Sequence, residues 1–127
     1  MAIRRTRAAG CALLAGAAAA AALAVTASGA TTPATRNLTA TGATLSFSKK
    51  TLAAPAGQVK LVLTNRSKTF RHDIAVKGDG IRVRKGKIVG KGGVSTVTIR
   101  LAPGRYTYFC SVGHHAKNGM KGTLTVR

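Results

Sequence analysis

At 127 residues, with 21 Lys+Arg against two acidic residues and a formal charge of +19, the chain has room for one small domain and a leader but not for two domains. The only carboxylate side chains are Asp73 and Asp79, with no glutamate, which excludes paired-carboxylate acid–base catalysis. Such positive charge attracts acidic proteins, anionic lipid or cell-wall polymers. Nucleic acid is the weakest candidate, because no recognition motif accompanies the charge.

The chain opens with Arg4, Arg5 and Arg7, continues in an uncharged Ala/Leu run from about Cys11 to Val25, and reaches Ala-x-Ala-like sites ending at Ala27 and Ala30. This is the pattern of a secretory signal peptide over residues 1–30. The apolar run is shorter than the roughly 20 residues that span a membrane; retention as an anchor is the alternative. Loss of the leader removes three arginines, taking 21 Lys+Arg to 18 and, against two Asp, the formal charge to +16. It also removes Cys11 and leaves Cys110 as the only cysteine. In an oxidising compartment that thiol has no internal disulfide partner.

Residues 31–43, Thr/Ala-rich with Pro33, read as a short linker into a domain over 44–127. From there the pattern is β. Leu45 and Phe47, then Val59, Leu61 and Leu63, then Ile81 and Val83 alternate with polar neighbours. The same period recurs at Val97, Ile99 and Leu101 and at Leu124 and Val126. Turn signals separate the runs: Ala54-Pro55-Ala56-Gly57, Thr64-Asn65-Arg66-Ser67, Gly78-Asp79-Gly80, Gly90-Lys91-Gly92-Gly93 and Ala102-Pro103-Gly104. No segment of the expected domain sustains a 3.6-residue apolar period. Seven or eight short strands with Pro/Gly turns predict an all-β, Greek-key sandwich.

The chemistry concentrates near the carboxyl terminus. Cys110, His115 and Met120 stand at Cys-x4-His-x4-Met spacing, and His72 lies upstream. His114 allows a Cys-x3-His-x5-Met reading instead. His72 shares strand parity with Ile74 and Val76, and Cys110 with Tyr106 and Tyr108, so both are expected to point inward. A lone inward histidine is most often a core residue and a lone cysteine most often an inert buried thiol. Here the other donor types lie beside them. Thiolate and thioether suit Cu(I), imidazole also accepts Cu(II), and two imidazoles, one thiolate and a weak axial methionine describe an electron-transfer copper site. Gly86 to Gly93 lacks the spacing of a phosphate loop. Asn37-Leu38-Thr39 and Asn65-Arg66-Ser67 match the glycosylation sequon only as a frequent chance pattern.

The segment Leu101 to Val112, continuing as Gly119-Met120-Lys121-Gly122-Thr123-Leu124-Thr125-Val126, resembles the C-terminal half of the cupredoxins, the plastocyanin/azurin-like blue copper family. Ser67-Lys68-Thr69-Phe70-Arg71-His72-Asp73-Ile74-Ala75-Val76 resembles the strand carrying that family's first histidine. The resemblance implies one mononuclear type 1 copper and one-electron transfer outside the cytoplasm, periplasmic or envelope-associated. It implies His72, Cys110 and His115 as strong ligands and Met120 as the weak axial one.

Two positions depart from the family pattern. Gly113-His114 replaces Pro-Gly before the second histidine. Asp73 replaces an asparagine, and because an ionised carboxylate only accepts hydrogen bonds, any tie between the ligand segments must use backbone or other donors. Lys77, Lys117 and Lys121 are expected to form a basic rim that docks an acidic redox partner of a monomeric carrier. The rival readings are copper storage, delivery or resistance in the same compartment, and a metal-free basic module on anionic envelope polymers. An enzyme is excluded: the chain is too short for a multicopper oxidase or nitrite reductase and lacks their His-x-His pairs.

Overall fold

A computed structural model describes residues 31–42 and 44–127; the expected signal peptide lies outside the described residues. Eight strands run in chain order: β1 (Ala34–Ala40), β2 (Thr51–Ala54), β3 (Gly57–Asn65), β4 (Ala75–Gly78), β5 (Ile81–Lys85), β6 (Val94–Leu101), β7 (Gly104–Phe109) and β8 (Lys121–Val126). They form a three-stranded sheet in the order β1-β3-β6 and a five-stranded sheet in the order β2-β8-β7-β4-β5. The all-β sandwich expected from the period-2 runs is the architecture observed.

Alternation produces the two layers. Along β6, Ser95, Val97, Ile99 and Leu101 are buried while the residues between them are exposed. On β3, Val59, Leu61, Leu63 and Asn65 are buried with half-buried residues between them, and antiparallel pairing sets Leu61 opposite Val97 and Val59 opposite Ile99. From the other sheet come Leu52, Val76, Tyr108, Leu124 and Val126, all in one core cluster. Each such side chain removed from water contributes about 1.5–3 kcal/mol. Phe47 joins the layers, its ring 5.6 Å from that of Tyr108, whose hydroxyl donates to the Lys49 carbonyl at 2.7 Å.

Three segments differ from the sequence reading. The expected linker over 31–43 instead contains β1, which pairs in parallel with β3 from Ala34↔Val59 to Ala40↔Asn65. Only Leu38 and Ala40 of that strand are buried, too few large apolar side chains to display the period. Conversely, the Leu45/Phe47 run makes no strand, only a single bridge from Phe47 to Ala40. Finally, His72 precedes β4 and sits in an isolated bridge with Val89. Asp73 and Ala75 are as buried as His72, Ile74 and Val76, so parity alone does not select the inward side chains there.

Candidate metal centre

One end of the sandwich is built from loops held by side-chain hydrogen bonds. Asn65, at the last position of β3, is fully buried and donates through Nδ2 to the Phe70 carbonyl at 2.9 Å and the Val89 carbonyl at 2.8 Å. Its Oδ1 accepts from the Ser67 N–H at 2.9 Å. One amide thus clamps the connection that delivers His72. His72 exchanges backbone bonds with Val89, 3.0 Å as donor and 2.9 Å as acceptor. Sequence reasoning passed over Asn65 as a turn residue in a sequon; only its burial betrays the role.

The second loop runs from Cys110, immediately after β7, to Met120, immediately before β8. Cys110 N–H donates to the Met120 carbonyl at 3.1 Å, and Met120 N–H donates to the His115 carbonyl at 3.0 Å. The bonds Asn118 N–H to His114 carbonyl and Gly119 N–H to Ala116 carbonyl tighten the interior. Gly119 has φ +107°, which L side chains rarely adopt, so glycine is needed where the loop returns to β8. Cys110 and Met120 are both fully buried.

These loops bring His72, Cys110 and His115 together, their ligand atoms within 4.8 Å of one another. Cys110 Sγ lies 3.8 Å from His72 Nδ1 and 3.5 Å from His115 Nδ1. Metal–nitrogen and metal–thiolate bonds of about 2.0 and 2.3 Å, as at zinc, span donor–donor edges of roughly 3.5–3.8 Å at open bond angles. The spacing therefore fits a shared ion. His72 is fully buried, its Nε2 has no hydrogen-bond partner, and Nδ1 faces only the sulfur. A metal at Nδ1 would replace that long sulfur contact with a strong partner, while Nε2 would still have none. Thiolate, two imidazoles and a thioether at the loop's end fit one type 1 copper ion.

His115 is half-buried, whereas His114 is exposed and stands outside the cluster. Phe70, two residues before His72, packs edge-on to His115 with centroids 5.7 Å apart and lies 6.2 Å from His72. It screens the ligand end from water, a role the sequence signalled only as an aromatic near the first histidine. Burial lowers the His72 pKa, His115 lowers it further, and Asp73 opposes both. The ring is thus biased toward its neutral, ligating form. Burial pushes the Cys110 thiol up, so the metal-free protein holds it protonated, and coordination must release that proton.

Asp73 is fully buried. Its Oδ1 accepts from the Ser111 N–H at 2.6 Å and its Oδ2 from the Ser111 hydroxyl. This carboxylate ties the His72 segment to the Cys110 segment using a backbone and a hydroxyl donor, as its acceptor-only chemistry requires. The three lysines of the expected rim separate. Lys117 is exposed on the ligand loop, but Lys77 and Lys121 join Lys50, Thr107 and Thr123 around a cleft of about 420 Å³ on the outer face of the five-stranded sheet. Lys77 Nζ stands 5.0 Å from the Phe109 ring centroid, one residue from Cys110.

Residues 13–126 match the family model described as the cupredoxin-like domain. The chain belongs to the cupredoxin family. Among solved structures, this cupredoxin is similar to an auracyanin from the photosynthetic bacterium Roseiflexus castenholzii, with 25% identity and a TM-score of 0.66, covering 76% of this chain and 99% of that one. It is also similar to auracyanin B, with 28% identity and a TM-score of 0.67 over 76% and 91% of the two chains. Auracyanin A, described as a "blue" copper protein of the green thermophilic photosynthetic bacterium Chloroflexus aurantiacus, matches with 25% identity and a TM-score of 0.65 over 76% and 100%. No curated protein matches the cupredoxin significantly in sequence.

Proposed function

We propose that this cupredoxin is an exported electron carrier that holds one copper ion through His72, Cys110 and His115, with Met120 as the weak axial ligand. The observation that carries the reading is the convergence of two Nδ1 atoms on the Cys110 sulfur, at 3.8 and 3.5 Å, with His72 and Cys110 fully buried. Bound copper supplies a one-electron Cu(I)/Cu(II) couple. The chain's own residues do the rest. Asn65 and the Asp73–Ser111 tie hold the donors to strand ends, so the ligand positions change little when charge changes, and little reorganisation favours fast transfer. His115, half-buried beside Phe70, is the ring nearest solvent and the proposed electron port.

Export is supported by the leader pattern over residues 1–30 and by a single cysteine in the expected domain. Among the described residues no helix is long and apolar enough to cross a membrane. The basic surface, Lys117 near the port included, favours an acidic redox protein as partner over substrate chemistry, and a carrier rather than an enzyme.

The test is the visible spectrum of the purified protein after addition of Cu(II). The expected result is an intense orange-red absorption, a blue solution that a reductant bleaches, retained by His114→Ala and lost by Cys110→Ser and His115→Ala. A colourless protein with stoichiometric Cu(II), or colour surviving Cys110→Ser, overturns the reading. Copper handed readily to an apo-acceptor without fast electron self-exchange selects storage or delivery instead.

A further inference from the structure

The edges of the two sheets meet along β5 and β6, the last strands of their sheets, and there the surface changes character. At the metal end the edges are pinned. A side chain at Gly86 would meet Ser95 Oγ at 2.5 Å and the Thr96 backbone at 2.6 and 2.9 Å, so only glycine lets β5 close on β6 at that point. Farther down they part into an open cleft of about 550 Å³ lined by Ile81, Arg82, Val83 and Arg84 of β5 and Ile99 and Arg100 of β6. Register places this opening away from the metal. Ala75 pairs with both Lys85 and Phe109 next to Cys110, whereas Gly78 pairs with Ile81 and Tyr106.

We propose that this cleft docks an extended, acidic segment of a partner protein, adding as a strand to the free edge. Three observations select that occupant. As edge strands, β5 and β6 each leave one row of backbone N–H and C=O groups without a strand neighbour, the template for strand addition. All three cations are arginines, Arg82, Arg84 and Arg100, whose planar heads match carboxylates in two-point contact. Apolar side chains lie among them, with Val83 54% exposed beside Ile81 and Ile99. A phosphate polymer has no use for an exposed valine; a chain alternating acidic and apolar residues uses both. The Lys50, Lys77 and Lys121 cleft, lined otherwise by Thr107, Gly122 and Thr123 and by no aliphatic side chain of the Val or Ile kind, shows the contrast within the same molecule. Charged edges also deter aggregation, but that role needs no second wall and no apolar floor. The proposal is independent of the metal centre, and such a contact leaves the His115 end free.

The experiment titrates the full chain with a synthetic peptide of alternating glutamate and valine, following backbone amide shifts. The expected shifts are confined to residues 81–84 and 99–100. Arg82→Glu/Arg84→Glu, both at exposed positions, weakens binding roughly tenfold or more, while Lys50→Glu/Lys77→Glu leaves it within about twofold. Equal weakening by the two pairs overturns the proposal, since binding is then diffuse charge attraction. So do shifts that fall outside the cleft, or polyphosphate binding there as tightly as the peptide. Folding of each variant is read from the same amide spectrum.

Discussion

Asp73 and Tyr108 show how much single buried oxygens do in this protein. Asp73 holds two donors of Ser111, so Asp73→Ala leaves that N–H without its acceptor and unties the two ligand segments. The expected cost is about 1–3 kcal/mol in the denaturation midpoint, with copper affinity down roughly 10–100-fold. Asp73→Asn keeps the shape and one acceptor and recovers only part of both, whereas a purely steric role predicts full recovery. Tyr108 is fully buried, and burial raises its phenol pKa to about 12. In the unfolded chain it ionises near the ordinary phenol value of 10.0. Between those values the unfolded state binds fewer protons than the folded one, so stability falls as pH rises from about 10 toward 12. Tyr108→Phe is expected to be less stable at neutral pH, having lost the bond to the Lys49 carbonyl, but to show a shallower alkaline decline in denaturant midpoint.

At the scale of elements, packing between β7 and β8 is close enough to forbid a methyl group. A Cβ at Gly122 would collide with the Tyr108 ring and hydroxyl and stand 2.6 Å from the Lys50 carbonyl. Both the carbonyl and the buried ring are fixed, so Gly122→Ala is expected to destabilise by about 1–3 kcal/mol or more in chemical denaturation. Gly42→Ala is the informative contrast, because there a Cβ meets nothing within 4 Å and only the positive φ of +69° is at issue. Element legibility followed the same physics. Strands with large apolar residues on one face, β3, β6 and β8, were readable because polarity itself reports which face is buried. β1 and β2 were not: their buried positions include Leu38, Ala40, Leu52 and Ala54, where alanine replaces half of the bulky residues that mark a strand. Their parallel partners, β3 and β8, lie far along the chain, beyond any local signal.

Across the whole molecule, eighteen cations face two carboxylates over residues 31–127, and Asp73 is buried in the ligand tie. Attraction of an acidic partner should then be long-ranged and screenable. The Debye length falls from about 10 Å at 0.1 M salt to about 3 Å at 1 M, so the bimolecular rate of electron transfer with an acidic redox protein is expected to fall steeply across that range in stopped-flow measurements. A flat rate would assign docking to apolar contact around His115 and Phe70. Lys117→Glu should lower the low-salt rate more than the high-salt one.

Donor types and spacing were set by the chain alone: Cys110, His115 and Met120 fall within eleven consecutive residues, and period-2 alternation declared the sandwich. Both are local properties that side-chain chemistry announces without a fold. Which histidine joins the thiol, how His72 reaches it, what Asn65 clamps and where Lys77 and Lys121 lie were decided by contacts that the local sequence does not announce. Cys110 and His72 are 38 positions apart and meet 3.8 Å from sulfur to nitrogen. Only closing both sheets over one core fixes such a distance, because each donor's place is the sum of strand registers that no single segment encodes.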